Sequence, residues 1–237
     1  MLLTKLIEGL KLIAVKGKTD INIKGIAYDS RKARPGFVFV CIDGSVTDGH
    51  KYIPQALENG AVALLTQKEV DVPGDITTIQ VENTRYSLAY ISDRFYRHPS
   101  GKLNLIGITG TKGKTTTVYM LKSILEAYGQ KAGIIGTLGT KIGDRSLYSE
   151  RTTPESLDLQ SIFDEMLAEN IKNVAMEVSS QGLKLHRVSC SEFDIGVFTN
   201  FSEDHIGPNE HSSMEDYLAA KIMLFKICKR GLVNIDS

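Results

Sequence analysis

Ile106-Gly-Ile-Thr-Gly-Thr-Lys-Gly-Lys-Thr-Thr-Thr117 is a glycine-rich turn that directly follows an apolar run. Residues 103–109 are expected to form a short buried strand, and residues 115–128 the helix after the turn. Strand, glycine-rich turn and helix together make a cradle for phosphate. Gly110 and Gly113 let backbone N–H groups approach phosphate oxygens closely. Lys114 supplies a mobile positive charge for the terminal phosphates, the Thr115 hydroxyl is placed to ligate Mg²⁺, and the helix N-terminus adds partial positive charge. Gly110, Thr111, Lys112, Gly113, Lys114, Thr115 and Thr116 are therefore the expected binding loop for a nucleoside triphosphate. The strict pattern Gly-x-x-x-x-Gly-Lys-Ser/Thr fails, because Ile108 occupies its first position and glycine sits one place earlier at Gly107. That departure points away from the commonest phosphate-loop families.

The 237 residues leave room for one large or two modest domains, with 42% hydrophobic and 24% charged residues as in an ordinary globular protein. Net charge is zero and no basic stripe occurs, which argues against nucleic acid as a partner. No apolar run approaches the length of a membrane span, and the N-terminus lacks a signal-peptide layout. Cys41, Cys190 and Cys228 are scattered and read as buried, reduced residues rather than as disulfides or a zinc site. A cytoplasmic location is the expectation.

Along the chain, residues 1–99 differ from the rest. Strands are expected at 21–28, 37–42 and 61–66, a helix at 52–59 stopped by Gly60, and a second helix at 84–97. His98-Pro-Ser-Gly101 breaks that helix and marks a domain boundary. Residues 100–237 then alternate: strands at 103–109, 131–137, 173–178 and 193–199, helices at 115–128, 156–170 with Ser156 as cap, and 213–229. The predicted fold class is α/β, an N-terminal α/β domain followed by a mostly parallel sheet wrapped by helices. Residues 231–237 read as one more strand, so the sequence is expected to be the front part of a longer protein.

In such sheets the ligand lies beyond the carboxyl ends of the strands. Glu177 closes an apolar strand there, where a carboxylate commonly holds the nucleotide's Mg²⁺. Asn200, Asp204 and His205 follow the strand ending at Thr199; imidazole can ligate a metal, although a lone histidine is more often structural. Lys221 sits in an apolar helical run. A protonated lysine cannot bind a cation, whereas a buried neutral one can take up CO₂ as an anionic carbamate; a surface lysine is the simpler alternative. Thr152 and Thr153 precede a helix N-terminus, and Arg187 can grip a carboxylate or phosphate bidentately.

Gly110-Thr-Lys-Gly-Lys-Thr-Thr116, Arg151-Thr-Thr-Pro154, Met176-Glu-Val-Ser-Ser180, His186-Arg187, Phe198-Thr-Asn200, Asp204-His205 and Tyr217-Leu-Ala-Ala-Lys221 occur in this order. Together they resemble the Mur ligases, in detail the MurE type, the UDP-N-acetylmuramoyl-tripeptide synthetases. Asp29-Ser-Arg31 and Gly44-Ser-Val-Thr-Asp-Gly-His50 resemble that family's UDP-binding domain.

The resemblance implies a cell-wall ligase in which residues 1–99 bind the UDP-sugar and residues 100–237 bind ATP. ATP would phosphorylate the free carboxylate of UDP-MurNAc-L-Ala-D-Glu, and the amine of a diamino acid would displace the phosphate. By the same implication Lys114, Glu177, His205 and Lys221 are catalytic. Thr115 and Glu177 would hold one Mg²⁺, His205 and carbamoylated Lys221 a second. Ser30, Ser45, Val46 and Thr47 would contact the UDP-sugar; Thr152, Thr153, Ser179 and Arg187 would grip the peptide end.

The expected protein is monomeric, with neither nucleic acid nor membrane as partner. Arg151 stands where some relatives have Asn. The family's C-terminal domain, which selects the added amino acid, is not recognised in this sequence, so lysine and diaminopimelate are both open. A folylpolyglutamate-synthetase-like ligase and a non-catalytic UDP-sugar or nucleotide-binding fragment are the alternatives.

Overall fold

Short apolar runs flanked by turn residues become parallel strands in both parts of the chain, because a strand covered on two faces has no polar side to present. The computed structural model describes residues 1–44, 47–204, 206–207 and 210–236. It divides into Met1–Phe95 and Tyr96–Ser237.

The first unit comprises α1 (Leu3–Ile7), β1 (Leu12–Lys16), β2 (Gly25–Ala27), β3 (Phe37–Val40), α2 (Ile53–Glu58), β4 (Ala63–Thr66), β5 (Thr77–Val81) and α3 (Thr84–Phe95). Its sheet runs β1-β5-β4-β3-β2, with β2 to β5 parallel and β1 antiparallel to β5. Phe39, Cys41, Ile53, Ala56 and Leu64 pack into one buried cluster beneath it. The strand expected over 21–28 shrinks to β2. Residues ahead of it bond instead to the N-terminal segment, with Ile23 N donating to Met1 O at 2.7 Å and Leu3 N to Ile21 O at 2.9 Å. β1 and β5 escape the sequence reading, since β1 is largely exposed and Thr-Thr-Ile-Gln-Val dilutes its apolar signal with hydroxyls and an amide. α3 ends at Phe95, after which Arg97 and His98 take left-handed φ of 62° and 56°.

The second unit contains β6 (Asn104–Thr109), α4 (Lys114–Ala127), β7 (Ala132–Gly136), β8 (Gly139–Ile142), β9 (Arg145–Leu147), α5 (Ser156–Ala168), β10 (Asn173–Glu177), α6 (Ser180–Lys184), β11 (Phe193–Phe198), α7 (Met214–Ile222) and β12 (Cys228–Val233). The sheet order is β12-β11-β6-β10-β7-β8-β9. The first five of these are parallel, and β8 and β9 add an antiparallel edge. Phe163, Met166, Met176, Phe193 and Leu224 fill the larger core cluster, while Val118 of α4 joins Ile108, Ile134 and Ala175 in another. Ile108 pairs with Glu177 and Thr109 with Phe198, so three strands deliver their carboxyl ends to one edge.

Three expectations need correction here. The helix predicted over 213–229 stops at Ile222, tightens into a 3₁₀ turn over Met223–Lys226, and gives way to β12 at Cys228. No proline or glycine interrupts the run before Gly231, so the sequence offers no stop signal; pairing of Cys228 with Phe193 decides the matter. The strand expected over 231–237 consequently begins earlier and ends at Val233. Ser156 is not the cap of α5: the cap is Glu155, without a side-chain cap bond, because its carboxylate is held by Arg187. The β8–β9 hairpin also went unread; its two-residue turn places Gly143 at φ 57°, in the first central position that a type II′ turn reserves for glycine. Cys41 is buried, Cys190 and Cys228 are half-buried, and all three are free thiols.

Phe163 is fully buried in the larger core cluster. Its replacement by alanine is expected to lower unfolding free energy by about 3–5 kcal/mol, measured by urea denaturation, with the folded far-UV signal retained.

Candidate functional site

The phosphate-type loop turns at its glycines. Gly110 has φ 141°, and a Cβ there would lie 2.0 Å from Thr199 Oγ1 and 3.1 Å from Asn200 N. Only glycine permits that approach. Gly113, at φ 84°, caps α4 with no side-chain bond, which leaves first-turn N–H groups without intrahelical acceptors. These are the donors available to an anion.

The rest of the loop is tied to the exit of β11. Asn200 brackets Lys112: its Oδ1 accepts from Lys112 N at 2.9 Å and its Nδ2 donates to Lys112 O at 3.0 Å. Thr199 Oγ1 donates to the same carbonyl at 2.8 Å. Thr111 N donates to Asn200 O at 2.9 Å, and Thr111 Oγ1 accepts from Ser202 N at 3.1 Å. The N–H groups of Thr111 and Lys112 are thus engaged within the protein. Lys112 Nζ pairs with Asp204 Oδ2 at 2.8 Å, and this ion pair raises the lysine pKa.

Two lysines, Lys221 buried and Lys114 half-buried, converge on one backbone oxygen. Lys114 Nζ donates to Gly110 O at 2.9 Å and to Thr111 O at 3.0 Å. Lys221, 1% exposed, donates to Gly110 O at 2.8 Å from the opposite element, α7. Its ammonium also lies 4.2 Å from the centroid of the Tyr217 ring. Burial lowers both pKa values; for Lys221, burial and then the charge of Lys114 bring it to about 7. Lys221 is therefore no surface lysine.

Glu177, 1% exposed, accepts from Thr115 Oγ1 at 2.9 Å, Thr137 N at 3.0 Å and Thr137 Oγ1 at 3.2 Å. Gly136 makes room for it, since a Cβ there would fall 2.2 Å from Glu177 Oε1. The Thr115 hydroxyl and a carboxylate are hard oxygen donors already in contact, a pair that suits Mg²⁺. Among the described residues, no group of three or more His, Cys, Asp or Glu gathers as a metal cluster.

Behind Glu177 lies a hydroxyl cluster. Thr152 Oγ1 is 2.9 Å from Thr137 Oγ1, and Thr153 Oγ1 donates to Glu177 O at 3.0 Å while standing 3.1 Å from Ser179 Oγ. Ser179 caps α6 by accepting from Gly182 N at 3.0 Å. Arg187 Nε pairs with Glu155 Oε1 at 3.0 Å, with side-chain exposures of 12% and 7%. The sequence reading located this group, and missed Thr137, which a strand-end search at β7 would have found.

In the N-terminal unit, Ser30 is buried in a short 3₁₀ turn capped by Asp29, and its Oγ donates to Gln55 Oε1 at 2.5 Å. Thr47 Oγ1 is 3.3 Å from the Tyr52 hydroxyl. Ser45, Val46 and His205 lie outside the described residues.

Against family models, residues 108–237 match the Mur ligase middle domain and residues 22–101 the Mur ligase family catalytic domain. The chain belongs to the Mur ligase family. It is 48% identical over 237 residues to the UDP-N-acetylmuramoyl-L-alanyl-D-glutamate--2,6-diaminopimelate ligase of Caldanaerobacter subterraneus subsp. tengcongensis, covering 100% of this chain and 48% of the relative. The corresponding ligase of Clostridioides difficile is 45% identical, again over 100% of this chain and 48% of its own length. The chain spans about half the length of the curated relatives it matches. A solved UDP-N-acetylmuramoyl-L-alanyl-D-glutamate--2,6-diaminopimelate ligase superposes with a TM-score of 0.83 at 24% identity, covering 100% of this chain and 47% of that one. MurF from Acinetobacter baumannii gives 0.61 at 24% identity, over 89% of this chain and 43% of its own. Both likenesses show the fold, and with it the α/β class expected from the sequence.

A Mur-family lysine with a depressed folded-state pKa makes stability depend on pH. Between about 7 and the ordinary lysine value of 10.5 the unfolded chain holds the proton that folded Lys221 releases, so raising pH favours folding. The unfolding free energy of the native chain minus that of Lys221→Met should therefore grow as pH rises through this window. Paired urea titrations measure it, and a difference that stays flat contradicts the assignment.

Proposed function

We propose that this chain is the nucleotide- and acceptor-binding part of an ATP-dependent ligase that joins a diamino acid to UDP-MurNAc-L-Ala-D-Glu. The supporting observation is the convergence of Lys114 and Lys221 on Gly110 O beside the Thr115–Glu177 pair. The half-buried Lys114 ammonium and the first-turn amides of α4 present positive charge at one place, and a polyphosphate supplies the negative charge that answers it. The relatives' names favour diaminopimelate as the diamino acid.

In this reading the first-turn amides of α4 and Lys114 bind the β- and γ-phosphates. The acceptor carboxylate attacks the γ-phosphorus and ADP leaves, giving an acyl phosphate. The amine then attacks the acyl carbon, expelling phosphate and losing a proton as the amide forms. Lys114 stabilises charge on the transferring phosphoryl group, and Lys221, fixed on Gly110 O, holds the loop in place.

Thr115 and Glu177 would hold Mg²⁺, which lowers the repulsion between the anionic acceptor and the triphosphate. A second ion falls to His205 with Lys221 as its carbamate; the pKa of about 7 supplies the neutral amine that CO₂ requires. Thr152, Thr153, Ser179 and Arg187 face the acceptor peptide in this scheme, with Arg187 exchanging Glu155 for substrate. Ser30, Ser45, Val46 and Thr47 serve the UDP-sugar. The working protein is a cytoplasmic monomer.

Calorimetric titration tests this directly. The chain should bind MgADP, and Lys114→Ala should weaken it by about tenfold to a hundredfold, the value of a charge-assisted bond of ~1.5–3 kcal/mol. It should bind UDP-MurNAc-L-Ala-D-Glu more tightly than UDP-MurNAc-L-Ala. Equal affinity for both acceptors would remove the peptide end from the site.

A further inference from the structure

His211 takes no part in the chemistry proposed above, yet its side chain is fully buried. Its Nε2 lies 2.9 Å from Ser180 Oγ, and its Nδ1 3.3 Å from Asp216 Oδ2. The Asp216 carboxylate also accepts from Lys184 Nζ at 2.7 Å and from Ser212 N at 3.1 Å. A carboxylate offers no proton, so the imidazole proton sits on Nδ1 and Nε2 accepts from the Ser180 hydroxyl. One neutral ring thereby fastens the head of α6, three residues beyond Glu177, to the first turn of α7. Burial, which holds the imidazole below its ordinary pKa, agrees with the neutral form.

The contact continues along α7. The His211 ring lies 4.9 Å from the Tyr217 ring, and Tyr217 is the residue on which the Lys221 ammonium rests. Positions 217 and 221 are a helical turn apart and share a face. Beyond Lys221 comes Gly110 O, a carbonyl of the phosphate loop.

We propose that His211 is a positioning residue: by joining Ser180 to Asp216 it sets the placement of α7, and through Lys221 the conformation of the loop that binds nucleotide. This inference rests on the nucleotide-site reading above. A histidine suits the task because its two nitrogens, on opposite sides of a rigid ring, act at once as donor and acceptor. Asparagine keeps a donor toward Asp216 and is too short to reach Ser180.

The test is a set of MgADP titrations on the whole chain. Ser180→Ala and His211→Asn are measured in the native background and again in a Lys221→Met background, each with its thermal unfolding midpoint. Ser180→Ala is the gentler change, removing a single hydroxyl. Each variant should weaken MgADP binding by about three- to tenfold in the native background and by less than about twofold once Lys221 is gone, since sites acting through one path are not additive. Equal losses in the two backgrounds, or no loss in the first, overturn the proposal and leave His211 a packing residue. A native chain that does not bind MgADP overturns the nucleotide-site reading itself, a failure visible before any variant is compared.

Discussion

The carbonyl of Gly110 accepts hydrogen bonds from Lys114 and Lys221, and much of the second unit is arranged so that it can. Removing an ammonium group from water costs several kcal/mol even after the protein relaxes, and a single peptide dipole returns only part of that. The wholly buried Lys221 and the half-buried Lys114 share one oxygen because the surrounding elements hold them there. Gly110 must lack a side chain so that the loop can lie against Thr199 and Asn200. Asn200 must bracket Lys112 so that the carbonyl keeps its direction. α7 must bring Lys221 in from the far side.

Around this centre the backbone donors divide into two groups. Those of Thr111 and Lys112 are consumed by Asn200 and tie the loop to the exit of β11. Those at the start of α4 have no partner inside the helix. Glu177 is organised on the same plan, because three donors from Thr115 and Thr137 fix both of its oxygens. Preorganisation of this kind is what electrostatic catalysis needs, since the groups do not have to reorient during reaction.

Much of this was readable from the chain. The apolar runs preceding Gly110, Glu177 and Thr199 carry the usual mark of a parallel strand covered on both faces. Turn chemistry located the helix that follows the loop to within a residue. What stayed hidden was decided by pairing rather than by local preference. β12 begins where Cys228 meets Phe193, in a stretch whose own pattern continues the helix. Two of the five residues of β5 are threonines, and it becomes a strand through its neighbours on both sides. Glu155 reads as an ordinary surface acid until Arg187 is seen across from it. His211, isolated in the sequence, acquires meaning only when α6 and α7 approach one another.

Gly136 carries a consequence for how this chain can change over generations. Unlike Gly110 and Gly113, it is not among the glycines with positive φ, and what bars a side chain there is the carboxylate of Glu177. The restriction is conditional on a residue far away in sequence. While the acid remains, position 136 is frozen; once the acid is lost, the freeze lifts and other side chains can drift in. A lineage that has filled position 136 has then closed the route back, because restoring the acid would meet an occupied space. Loss of the carboxylate is therefore a ratchet, and the two positions form a single heritable unit.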